Sequence, residues 1–162
     1  MGAEARDPQT QAGGTERDSQ MLKNIPAIVG PDLLHVLQSM GHGDEIVVSD
    51  ANFPGASLGP KLLRMDGHTA TDVLEAIMTL MPLDEFEHAA FRMEVVGDPG
   101  KIEPVMAEFD AIIRRHEPRA SLAGLERFAF YSRAKTAFAI VQTGETRLYG
   151  NVILKKGVIH PA

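Results

Sequence analysis

The chain reads as an α/β protein, a three-layer α/β/α arrangement with a mainly parallel or mixed central sheet. Short apolar runs suited to buried strands alternate with segments whose apolar residues recur at helical spacing, as in a sheet covered by helices on both faces. The length of 162 residues, with 44% hydrophobic and 23% charged residues, is that of one ordinary globular domain. No repeat of fixed period breaks the alternation.

Each element follows from local chemistry. Residues 1–20 are polar and charged with no apolar run, and read as a disordered extension or tag remnant ahead of a single domain over 21–162. Gly30 and Pro31 open a first helix, because proline at the first helical position sacrifices no useful donor. Leu33, Leu34, Leu37 and Met40 keep helical spacing, and Gly41 is the expected stop. Ile46, Val47 and Val48 form a buried strand ending at Ser49 and Asp50. Residues 51–60, rich in Gly, Pro and Ser, read as a loop into a strand near Leu62 to Met65, closed by a turn at Asp66 and Gly67. Thr71 is the expected cap of a second helix carrying Val73, Leu74, Ile77 and Met78, which Pro82 closes. Ala90 to Val96 reads as a strand. A third helix spans about Glu103 to His116, with Arg114 and Arg115 near its carboxyl end and Pro118 after it. Arg127 to Phe138 suits a short helix, followed by strands at Ala139 to Gln142 and Asn151 to Leu154.

Composition then narrows the function. No cysteine is present, which removes disulfide frameworks, thiolate nucleophiles and cysteine-ligated metal sites and favours a reducing cytosol. A formal net charge of −6 argues against nucleic acid or an anionic membrane as partner, since both need clustered Lys and Arg. No run of 18 apolar residues occurs, so a soluble protein is expected. A neutral ligand fits this balance best.

Four segments could carry chemistry. In Met40-Gly41-His42-Gly43-Asp44-Glu45 an imidazole sits between glycines directly before a strand, where it could exchange protons with a bound hydroxyl. A solvated turn histidine explains the same residues, and spacing alone favours it. Asp44 and Glu45 are adjacent on a strand, point to opposite faces and cannot flank one glycosidic bond. The glycines do not make a dinucleotide fingerprint, because Ile46 stands where the third small residue belongs. A metal site from His42, Asp44 and Asp50 lacks the close histidine spacing of zinc motifs. In Asp50-Ala51-Asn52-Phe53-Pro54, an acid and an amide at a strand end could hold sugar hydroxyls or simply form an Asx turn. Arg127-Phe128-Ala129-Phe130-Tyr131 and Tyr149-Gly150-Asn151 read equally well as core, solvated charge and turn.

Taken in order, these segments resemble the ribose pyranase / fucose mutarotase family. The stretches MGHGDEIVVSDANFP at 40–54 and GLERFAFYSRAKTAFAIVQTGETRLYGNVILKKGV at 124–158, with a weaker RMDG at 64–67, carry the match, which covers nearly all of 21–158. It is closest to the fucose members: the ribose members carry Tyr-Ala-Asn in the last motif and lack the Arg-Phe-aromatic-Tyr segment. The resemblance implies cofactor-free exchange of the anomers of a free monosaccharide, L-fucose, in the cytoplasm, by a homo-oligomeric ring, commonly a decamer, with sites near subunit boundaries. It makes His42 the proton donor, with Tyr131 a further catalytic residue. It makes Asp50, Arg127, Tyr149, Gly150 and Asn151 sugar-binding, adds Asp84 as a ligand-contacting acid, and implies no metal. Many bacterial fucose forms carry His where this chain has Asn52. Phe53 or Phe130 is expected to wall the sugar's methyl group. The rival expectations are a sugar-binding accessory of an uptake system and a D-ribose pyranase.

Overall fold

The computed structural model describes residues 21–162; the expected extension over 1–20 lies outside them. In chain order the elements are α1 (Pro31–Ser39), β1 (Glu45–Ser49), α2 (Gly55–Leu58), β2 (Lys61–Met65), α3 (Ala70–Leu80), β3 (Ala90–Met93), α4 (Pro104–His116), β4 (Ala123–Leu125), α5 (Arg127–Lys135), β5 (Ala139–Thr143) and β6 (Val152–Lys155). The strands form one sheet in the order β2-β5-β1-β6-β3-β4. β5 pairs parallel with β1 and β2, β4 pairs parallel with β3, and β6 runs antiparallel to both β1 and β3. Every strand except β6 therefore points the same way. The sheet is mixed, and helices cover both of its faces.

Strand alternation divides the core. Ile46 and Val48 of β1 point into a cluster with Val141, Val152 and Leu154, packed beneath α1, α3 and α4 through Leu33, Val36, Ile77, Phe109 and Ile113. Val47, Ile140 and Ile153 point the other way, against Phe53, Phe91, Met93, Phe130 and Ala134. A strand buried on both faces needs a continuous apolar run rather than alternation, which is why Ile46 to Val48 carries no polar residue. Phe109 and Phe130 are fully buried, and truncating such a ring to alanine costs about 3–5 kcal/mol.

Several boundaries differ from the sequence-based expectation. Thr69, not Thr71, caps α3: its Oγ1 accepts the Asp72 N–H at 3.2 Å. β3 stops at Met93 rather than Val96, because the chain turns there, with the Asp98 N–H on the Val95 carbonyl and Gly97 at φ 80°. α5 stops at Lys135, where the Thr136 hydroxyl bonds the Arg133 carbonyl at 2.9 Å. β6 begins at Val152, because the Asn151 side chain is committed to Asp50. The short α2 and β4 were not expected; neither has a periodic apolar pattern. Among the described residues no helix is long and apolar enough to cross a membrane.

Candidate active site

With β6 alone reversed, the carboxyl ends of β1, β3 and β5 and the amino end of β6 meet at one edge of the sheet, and α5 begins just after β4 ends there. Strand-end edges of this kind are where open α/β sheets bind ligands. A cleft of about 210 Å³ lies at this edge, lined by Asp50, Asn52, Phe53, Met93, Val96, Arg127, Tyr131, Leu148, Tyr149 and Asn151. It is smaller than the roughly 300–1,000 Å³ of drug-sized sites.

The polar groups of the cleft are held in place. The Asp50 N–H donates to Asn151 Oδ1 at 2.9 Å, and the Asn52 N–H donates to Asp50 Oδ1 at 3.0 Å. The Asx turn weighed from the sequence is therefore real, and it fixes the carboxylate at the cleft. Burial pushes the Asp50 carboxyl above its ordinary pKa, against hydrogen bonds from the Asn52 backbone and the Asn151 side chain that pull it down. Gln142, reaching up from β5, donates to the Ala51 and Phe53 carbonyls at 3.1 and 3.0 Å and clamps this loop.

α5 supplies the opposite wall. Its amino end is capped by the Glu126 carboxylate, which accepts from the Phe128 and Ala129 N–H groups. Arg127 Nε donates to the Tyr131 hydroxyl at 3.3 Å, a bond that raises the guanidinium pKa. The Tyr131 ring tilts against Phe53 with centroids 5.6 Å apart. Phe53 faces the cleft, whereas Phe130 is wholly enclosed behind it, so of the two expected methyl walls only Phe53 is available. Met93, Val96 and Leu148 also line the cleft. The sequence reading missed all three, because they belong to a strand end and two turns with no motif of their own.

Tyr149 stands in the left-handed region at φ 62°, an uncommon conformation for a bulky residue. Its hydroxyl accepts the Val96 N–H at 3.2 Å. Gly150 has no room for a side chain: a Cβ would lie 2.8 Å from Glu145 Cγ and 3.3 Å from Asp50 Cβ.

His42 lies elsewhere. It precedes β1 while Asp50 follows it, so the length of the strand, about 16 Å for five residues, separates them at opposite edges of the sheet. Its Nε2 is 3.1 Å from Asp84 Oδ1, its side chain is 47% exposed, and the Phe86 ring sits 5.7 Å away. Burial pulls the Asp84 carboxyl up, but the Phe86 N–H and His42 together hold it below its usual value. Gly43 adopts φ 87°, which explains the second glycine of the motif. The metal grouping of His42, Asp44 and Asp50 is ruled out by this separation. Asp44 instead accepts the Gly41 N–H at 2.8 Å. Among the described residues no group of three or more His, Asp or Glu is placed to share a metal.

Known proteins match both sequence and fold. A fucose mutarotase of Homo sapiens is 50% identical over 145 residues, 85% of this chain and 94% of that protein. One of Danio rerio is 46% identical over 147 residues, 87% of this chain and 96% of its own. The crystal structure of the fucose mutarotase of Streptococcus pneumoniae in complex with L-fucose superimposes with a TM-score of 0.80 at 45% identity, over 86% of this chain and all of that one. Residues 23–159 match the model of the RbsD / FucU transport protein family, and the chain belongs to that family.

Proposed function

We propose that this protein is an L-fucose mutarotase, interconverting the α and β anomers of the free sugar by acid/base opening and closing of the ring. The observation that carries the reading is the convergence of Asp50, Arg127, Tyr131, Tyr149 and Asn151 on one small cleft in a chain half identical to a fucose mutarotase.

Mutarotation moves only protons. The ring oxygen gains a proton, the anomeric hydroxyl loses one, and the bond between the anomeric carbon and the ring oxygen breaks. The aldehyde rotates and closes on its other face, with both protons returned. One imidazole can donate for opening and accept for closing. In this reading His42 is that group, Asp84 orients its ring, and Tyr131 assists at the other oxygen. Asp50, Arg127, Tyr149 and Asn151 hold the hydroxyls, the Gly150 backbone lets the turn approach the sugar, and Phe53 with Met93 meets the methyl group. No cofactor enters the scheme.

A complete site then requires two chains. The exposed apolar residues support this: Val96 and Leu148, 62% and 66% exposed, rim the cleft, while Phe86, 72% exposed, stands beside His42 at the opposite edge. Two different patches at opposite ends of one protomer suit a head-to-tail contact, which closes into a ring when the rotation permits. We place His42 of one subunit over the cleft of the next, in a cytoplasmic homo-oligomer, with ten subunits as the family expectation.

Saturation-transfer NMR with L-fucose, D-ribose and galactose in parallel tests the assignment. Anomer exchange should be fastest for fucose, by about five- to 160-fold, since a single methyl contact is worth about 1–3 kcal/mol. Binding of fucose without exchange would make the protein a sugar-binding accessory, and preferred pyranose-furanose exchange of ribose would make it a ribose pyranase. A monomer in light scattering would remove the two-chain site.

A further inference from the structure

The turn that presents Tyr149, Gly150 and Asn151 is gripped from behind by groups that no step above uses. Glu145 follows β5 and is buried, 3% exposed. Its carboxylate accepts the Arg147 backbone N–H at 3.0 Å and the Arg147 guanidinium at two further points, Nε and Nη2, each at 3.0 Å. The remaining guanidinium nitrogen, Nη1, reaches Glu108 of α4 at 2.9 Å. The Glu145 main chain ties in the other half of the cleft: its carbonyl accepts the Ala51 N–H at 2.9 Å, and its N–H donates to Thr143 Oγ1, which in turn donates to the Ser49 carbonyl. The Glu145 side chain also fills the space that a Cβ on Gly150 would need.

We propose that Glu145, locked by Arg147, is the positioning residue that holds Tyr149 in its left-handed conformation and sets the spacing between the Tyr149–Asn151 turn and Asp50. The inference rests on the reading that this turn faces the sugar. Tyr149 at positive φ relaxes to an ordinary conformation unless the surrounding structure over-determines it, and the fork of Arg147 on a buried carboxylate supplies that constraint from the residue two before it. The hydrogen bonds from Arg147 hold the Glu145 carboxyl below its usual pKa, so the grip is charged throughout the neutral range. Asn151, at the far end of the turn, accepts the Asp50 N–H only while the turn keeps this course.

Loosening the grip lowers the fraction of sites with the turn in place, and apparent affinity falls by that fraction. Glu145→Gln should therefore raise KM for L-fucose about tenfold or more with kcat within about twofold, read by polarimetry on freshly dissolved α anomer. Arg147→Gln should match it, the double variant should be no worse than either single, and Arg147→Lys should recover part of the loss. Glu108→Gln, at the solvent end of the fork, should change KM by about twofold at most. The chain contains two tyrosines, so selective 13C-tyrosine labelling gives one ring signal each; that of Tyr149 should shift or broaden in Glu145→Gln while that of Tyr131 stays. An unchanged KM and an unchanged Tyr149 signal overturn the proposal. So does a lower kcat and a lower Tm at unchanged KM, the pattern of a merely structural loss. If Glu145→Gln does not fold, Arg147→Gln decides by the same readouts. Tyr149→Ala separates the two readings: wild-type exchange in that variant removes the turn from the sugar site, whereas the tyrosine signals report on Glu145 regardless of activity.

Discussion

The two ends of β1 carry the same kind of chemistry in opposite settings. At its carboxyl end Asp50 is buried, held by two hydrogen bonds and pushed up in pKa; at its amino end His42 stands half exposed, its main fixed partner the carboxylate of Asp84. One end is a formed cleft whose polar groups are held by hydrogen bonds. The other has an imidazole paired with Asp84 and half open to solvent. Under the proposed two-chain site, the contrast is that of two half-sites, one at each end of the strand, which neighbouring subunits would bring together.

The largest expected effect breaks each end separately. General acid/base groups contribute about 10²- to 10⁴-fold, so His42→Ala should lose that much anomer exchange while still binding fucose, and Asp50→Asn should lose binding. Co-expressing or reassembling the two variants in equal amounts should restore about one quarter of the wild-type sites, because a site drawn at random from two chains has that chance of being intact. No recovery in assemblies shown by mass spectrometry to be mixed would place the site within one chain.

Acidification should separate the ends next. A carboxyl raised in the folded state, Asp50, protonates above its ordinary value of 3.8, so KM for fucose should climb before the pH has fallen to that value. Glu145, Glu75 and Asp84 are depressed. Their contribution to stability is present above their unfolded values and is lost only as pH falls through the lower folded ones. Asp50 has the opposite sign and favours the fold slightly as it takes up its proton. Sugar binding should thus fail at a higher pH than folding, measured as KM and urea stability on the same samples; coincident transitions would contradict the placement of Asp50.

The buried end should also be the end where substitution costs stability. Asn151→Ala leaves the Asp50 N–H without its acceptor in a buried setting, which costs about 1–3 kcal/mol. Urea titration should show this as a lower midpoint at unchanged slope. A midpoint equal to wild type would mean that water replaces the amide and that the turn is looser than its contacts indicate.

How much of this was legible beforehand divides along the same line. The helices of Leu33 to Met40 and Val105 to Ile113 and the strand of Ile46 to Val48 were readable, because their apolar spacing reports burial directly. The strand end at Asp50 was readable for the same reason. β4 was not: Ala123–Leu125 has three residues and no alternation, and it exists because β3 offers it an edge. Gln142 and Glu145 were hidden because each is tied to the loop after β1 by a bond distant in sequence, Gln142 to the Phe53 carbonyl and Glu145 through its carbonyl to the Ala51 N–H, and such bonds leave no local pattern. The separation of His42 from Asp50 was not read: the sequence reading gathers them around one small cavity, although one precedes the strand and the other follows it. The fold turned that order into distance.

The smallest expected effect is the sharpest test of the comparison. His42→Ala removes a half-exposed ring whose ion pair with Asp84 spans 3.1 Å, and pairs with an exposed member contribute about 0–1 kcal/mol. Asp84 keeps the Phe86 N–H as a donor at 3.1 Å, so no buried acceptor is left bare. The protomer should therefore unfold in urea within about 0.5 kcal/mol of wild type, even though exchange has almost vanished. A loss of several kcal/mol would mean that His42 supports the fold rather than the chemistry, and the open end of β1 would then be part of the scaffold instead of half of a site.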